Sequence, residues 1–249
     1  MLHWSKGIPQ HQKLHIFQTP LLNQIFDEVT TVKEFTKRLL TGIVLGVLFW
    51  LAFSLLPPAY FSGILLLILI SIIAFEWKRL FNMRSPAFWL LMPLYPILPF
   101  ALLIAMNHAP AYRELLFILF IIVFSHDTGS YFVGKFFGKH KIMPLVSPGK
   151  TWEGFAGGYT FACLGLAFML WERDIHESWP FILIFTFFVC ALALLGDLFE
   201  SLLKRRAAIK DSGNFLPGHG GFLDRFDGIM FAVFFFYVFR DELVCLFNL

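Results

Sequence analysis

Apolar residues in this chain come in blocks, and the blocks constrain what it can fold into. Seven segments stand out, at about Leu39–Leu56, Tyr60–Phe75, Phe88–Met106, Tyr112–Phe124, Gly154–Trp171, Phe181–Leu195 and Gly228–Phe239. Apart from Arg113 and Glu114 they are free of charged side chains. The whole chain is 58% hydrophobic and 15% charged, whereas a soluble domain runs nearer half and a quarter. A transmembrane barrel would need short alternating segments, which do not occur here. The fold class expected is all-α, a polytopic helical membrane protein. Several segments fall short of the ~20 residues of a straight span. They are expected to continue as helix into polar residues, to re-enter, or to pack inside the bundle, so the span count runs from seven to nine. Pro93, Pro96 and Pro99 make the third span kinked or split.

Lys and Arg set the orientation. With the N-terminus inside, the inner segments hold 17 of the 20, and only Arg113, Arg173 and Arg240 fall outside. Every polar loop of interest then lies on the cytosolic face, with the active site expected there. In a bacterium the expected membrane is the inner one. The basic surface suits anionic lipid headgroups and nucleotides rather than nucleic acid.

Residues 1–36 lack the apolar core and cleavage site of a signal peptide. Leu22, Ile25, Phe26, Val29, Val32 and Phe35 recur at three- and four-residue steps. They read as an amphipathic helix, either on the inner leaflet or packed on the cytosolic face of the bundle. Residues 37–249 form one membrane-embedded domain. Cys163, Cys190 and Cys245 show no metal or disulfide spacing and read as packing residues.

The densest polar cluster is Ser201–Asp227, flanked by two apolar segments. Ionisable groups beside a bilayer are costly and mark a candidate site. If the sixth helix continues past Gly196, Asp197, Glu200, Ser201 and Lys204 share one face. Asp197 is then placed for a divalent cation and Lys204 for phosphate. The plainer alternative is a solvated helix end with a Glu200–Lys204 pair. The glycine-rich loop from Gly213 to Gly221 exposes backbone N–H groups to an anion, with His219 in its midst. Asp224 and Asp227 share a face if the last helix starts nearby; for Asp227 a helix cap or a pair with Arg225 competes. Mg²⁺ needs only one or two carboxylates, so a metal between Asp197 and Asp224 is reasonable.

The loop Ser125–Gly154 adds Asp127 and Lys150. Its Gly149–Thr151 run fails as a P-loop, because Pro144 stands where the first glycine is required. A helix start is expected instead, with Ser147 as cap, Glu153 as an early acid and Lys150 within reach of phosphate.

The run Ser201–Asp227 resembles the signature of phosphatidate cytidylyltransferases. It matches at Ser201, Leu203, Lys204, Arg205, Lys210, Asp211, Gly213, Leu216, Pro217, His219, Gly220, Gly221, Asp224, Arg225 and Asp227. The resemblance extends over roughly Ser125 to Phe239; seven spans is few for that family. It implies a Mg²⁺-dependent transfer from CTP to phosphatidate, giving CDP-diacylglycerol and pyrophosphate, with a second cation left open. Asp197 and Asp224 match the family's metal-binding acids, and Asp227 is expected to support them. Lys204, Lys210 and Arg225 complete the expected catalytic set. Lys150, Ser201, Arg205, His219, Gly220 and Gly221 are expected to bind substrate. The expected partners are CTP, phosphatidate and the bilayer, with a homodimer left open.

Two other readings fit less well. A CDP-alcohol phosphotransferase shares Asp-x-x-Asp-Gly at Asp224–Gly228 but needs Ala-Arg after two further residues, where Phe231-Ala232 follow Ile229-Met230. A transporter would place its ionisable groups near the midplane, whereas these span interiors are nearly uncharged. Glu76 is the exception, and it fits the inner end of the second span.

Overall fold

A computed structural model describes residues 42, 44, 46–175, 177–213, 215 and 220–249. The amphipathic segment expected over residues 1–36 lies outside them. Within Phe49–Leu249, which forms one compact unit, the architecture is a helix bundle with one small hairpin. The helices are α1 (Gly46–Leu55, which begins ahead of that unit), α2 (Pro58–Leu80), α3 (Pro86–Asn107), α4 (Pro110–Phe137), α5 (Trp152–Glu172), α6 (Trp179–Arg206), α7 (Leu223–Val238) and α8 (Arg240–Phe247). All seven expected apolar segments are represented among α1–α7. Five, α2 to α6, are long and apolar enough to cross a membrane. Outward-facing Leu67, Phe75, Leu164, Trp171 and Ile184 give the unit an apolar exterior.

Local chemistry explains the helix starts. Pro58, Pro86 and Pro110 stand in first turns, where the missing N–H costs nothing. Ser85 caps α3 by accepting from Ala87 N–H. The proline-rich third span is two α-helical pieces, Pro86–Met92 and Leu98–Asn107, joined by a wide π-type turn at Pro93–Ile97. A second such turn, Ile72–Glu76, interrupts α2.

Two helices outrun their apolar stretches. The helix α4 continues to Phe137 and α6 to Arg206, each 28 residues long. At 1.5 Å per residue that is roughly 42 Å, more than the ~30 Å hydrocarbon layer. The overhanging ends of both carry polar residues on the same side of the bundle. Between the long helices runs α7, short at 16 residues but largely buried, packed against α3, α4 and α6.

Small residues set the tightest contacts. The pair α4–α5 is the most extensive in the unit. A Cβ on Gly158 would lie 2.1 Å from Ser130 Oγ and 2.4 Å from the His126 carbonyl. In the α6–α7 pair, a Cβ on Gly196 would meet the Asp227 carbonyl at 2.3 Å. Such approaches are how helices associate where lipid removes the hydrophobic driving force.

One expectation needs correcting. Ser147 does not cap α5. The segment Ser147–Thr151 (β2) pairs antiparallel with Lys141–Met143 (β1), with Met143 opposite Ser147 and Lys141 opposite Thr151. The cap is Thr151, whose Oγ1 accepts from Gly154 N–H at 3.1 Å. Glu153 does lie in the first turn. It accepts from the His140 and Lys139 backbone N–H groups at 3.1 Å, which ties the hairpin to the helix.

Candidate active site

Where α4 and α6 overhang, they meet β2 and the start of α7 around a cavity of about 280 Å³. It is lined by His126, Asp127 and Ser130 from α4, Lys150 from β2, Asp197 from α6, and Asp224 and Arg225 from α7, among others. Four elements distant in sequence thus bring two cations and three carboxylates to one hollow.

The acids are held by lysines. Lys150 pairs with Asp197, which is nearly buried. Lys204 pairs with two acids: Glu200, fully buried one turn earlier on α6, and Asp224, at 2.6 Å. The Glu200–Lys204 pair therefore forms, but inside the protein rather than on a solvated helix end. The other Glu200 oxygen, Oε1, is buried with no hydrogen-bond partner among the described residues.

Asp224 is the most constrained group. Besides Lys204, its Oδ2 accepts from Gly221 N–H at 2.7 Å, from Ser212 N–H at 3.1 Å and from Ser212 Oγ at 2.9 Å. The glycines make this possible. Gly220 has φ +78°, and a Cβ there would sit 2.3 Å from Asp224 Oδ2. The N–H group of Gly221, expected to face a phosphate, is directed at this carboxylate instead.

The other expected residues divide. Lys150, Asp197, Asp224 and Arg225 line the cavity, and Lys204 contacts Asp224. Asp227 is buried inside α7, its Oδ1 accepting from Gly228 N–H at 2.9 Å. It is neither a helix cap nor, among the described residues, paired with Arg225. Arg205 donates to the Val146 carbonyl at 3.0 Å and the Ile209 carbonyl at 3.4 Å, fastening the hairpin to the end of α6. Ser201 and Lys210 do not line the cavity; Lys210 is exposed beyond the helix end. His219 lies outside the described residues.

The model of the cytidylyltransferase family matches residues 25–242. The chain belongs to that family. A protein named phosphatidate cytidylyltransferase from Bacillus subtilis (strain 168) is 34% identical over 225 residues, which cover 84% of this chain and 82% of the relative. Like-named proteins align over shorter stretches. One from Staphylococcus epidermidis (strain RP62A) is 46% identical over 121 residues, 49% of this chain and 46% of its own. One from Staphylococcus aureus (strain COL) is 46% identical over 114 residues, 46% of this chain and 44% of its own.

In this cytidylyltransferase the sequence reading passed over His126, Ser130 and the buried role of Glu76. His126 is 1% exposed, and its Nδ1 lies 3.5 Å from Asp127 Oδ1. The extension of α4 past its apolar stretch, with His126, Asp127 and Ser130 on that overhang, was the available signal. Glu76 offered only an acid at a span end.

Proposed function

We propose that this cytidylyltransferase is a phosphatidate cytidylyltransferase, transferring the cytidylyl group of CTP to phosphatidate with release of pyrophosphate. The observation that carries the reading is the convergence of Lys150, Asp197, Asp224 and Arg225 on one cavity at the charged end of the bundle.

The chemistry asks little of a protein base. The phosphatidate phosphate, with a second pKa near ~6, is already largely dianionic near neutral pH. One of its oxygens attacks the α-phosphorus of CTP, a new P–O bond forms, and the bond to pyrophosphate breaks. The difficulty is that two anions must meet and a third must leave. Fixed cations address both problems. Lys150 and Arg225 face the cavity and neutralise the triphosphate and the lipid phosphate, and Lys204 sets the charge around Asp224.

The acids suit a hard divalent cation. Glu200 Oε1 is a buried oxygen lacking a donor among the described residues, and Asp197 and Asp224 offer carboxylates at the cavity wall. Among the described residues no three of the His, Cys, Asp and Glu side chains are grouped so as to hold a metal ion without other ligands. Mg²⁺ takes one or two protein carboxylates and keeps water and substrate phosphate in the rest of its octahedron. Asp197 and Asp224 would hold it, with Asp227 and Glu200 behind them. When bound it would offset charge on the departing pyrophosphate. The acyl chains stay in the bilayer, and the excess of Lys and Arg at this end turns the cavity to the cytosol.

The test is pyrophosphate release from CTP by the full chain in phosphatidate-containing micelles, with and without Mg²⁺. Release that needs both lipid and metal, and that falls at least ~100-fold in Asp224→Asn, is expected. Folded wild-type protein that releases none with any divalent ion would sink the reading.

A further inference from the structure

Glu76 is the one acidic residue carried by α2, and it is 3% exposed. It sits at the end of the π-type turn Ile72–Glu76, a feature that often marks function. It has no ion pair among the described residues. Its carboxylate accepts from two N–H groups at the start of α7, Phe222 at 2.8 Å and Leu223 at 2.9 Å, and lies 2.8 Å from Ser212 Oγ, whose single proton it shares with Asp224. The first two are N-terminal donors of a helix that offers them no partner of its own. Gly213 and Gly221 press against the same carboxylate, where added Cβ atoms would lie 3.2 and 2.4 Å away.

Ser212 continues the chain of contacts. Its hydroxyl lies between Glu76 Oε2 and Asp224 Oδ2, and its N–H points at Asp224. We infer that Glu76 is a positioning residue for the transfer, fixing the Asp224 carboxylate through Ser212 and the start of α7. It would act without touching substrate. The carboxylate is needed because each of its oxygens faces an N–H donor, Phe222 at Oε1 and Leu223 at Oε2, while Ser212 Oγ shares its one proton between Glu76 and Asp224. A glutamine keeps the shape but turns an NH₂ toward N–H and O–H groups. An aspartate is one methylene short.

The inference shares its turnover arm with the proposed function and has a second arm that does not depend on it. The experiment compares wild type, Glu76→Gln, Glu76→Asp and Ser212→Ala as full chains in detergent. A control, Leu69→Ala, removes a buried side chain elsewhere on α2. Turnover per folded molecule is expected to fall ~10- to 100-fold in Glu76→Gln, with a several-fold rise in the Mg²⁺ concentration giving half-maximal rate. Leu69→Ala should lower the melting temperature while leaving metal dependence unchanged. Adding Ser212→Ala to Glu76→Gln should cost less than the two single effects combined.

Amide exchange at Ser212 and Gly221 provides the second arm, because those N–H groups bond to Asp224 and not to Glu76. Exchange at least 10-fold faster in Glu76→Gln is expected. If Glu76→Gln fails to fold, Glu76→Asp takes its place in both arms. Loss of turnover only in proportion to folded protein, with unaltered exchange at Ser212 and Gly221, would overturn the inference. Inactive wild type would defeat the proposed function and leave the exchange arm to decide for Glu76.

Discussion

Lys204 and Lys150 both neutralise acids, but their surroundings differ. Lys204 serves two carboxylates, one fully buried, and little of its own side chain is exposed. Lys150 is about a third exposed and serves one. Removing a cation from a buried pair leaves an uncompensated charge, at a cost of about 3–5 kcal/mol. Lys204→Met, which strands two buried acids, should therefore lower thermal stability more than Lys150→Met, which strands only Asp197 at the cavity wall and should cost mainly activity. Melting curves set beside pyrophosphate release would separate the two, and equal stability losses would contradict the argument. Of these groups, Asp197, Glu200 and Lys204 were legible as one helical face because i to i+3 and i+4 geometry is local. The reach of Glu76 to Ser212, across 136 residues, has no local correlate.

Elements were legible to the extent that hydropathy marks them. The apolar stretches located every helix from α1 to α7, but α4 and α6 run well beyond them because their last turns are stabilised by groups from other elements. The hairpin escaped notice because its strands are three and five residues long and lack an apolar alternation. Helix contacts yield a prediction of their own. Gly196→Ala drives a methyl group into the Asp227 backbone and should cost about 1–3 kcal/mol. Gly63→Ala, on α2 with nothing within 4 Å of the added methyl group, should stabilise by about 0.5–1 kcal/mol. Thermal unfolding of both variants in one detergent is the check, and a neutral Gly196→Ala would mean that α6 and α7 can move apart.

At the scale of the molecule the two ends of the bundle differ in kind. One carries the cavity. At the other, Arg173 pairs with Glu114, and Tyr112 O–H donates to Asp241 at 2.5 Å. A cysteine placed at exposed Ala208, in a chain cleared of its own cysteines, should react with an impermeant thiol reagent only in inside-out vesicles. One at Asp174 should react only in right-side-out vesicles. The reverse pattern would turn the cavity away from cytosolic CTP.

With the transfer placed at that cavity, as proposed, gathering the polar groups at one end also puts the reacting lipid in one leaflet. Among the described residues the spans carry no charged side chain between their two ends, so a lipid that reacts at that cavity enters and leaves through the same half of the bilayer. The reaction changes the composition of that monolayer alone, and any supply to the opposite one must come from a separate flipping activity.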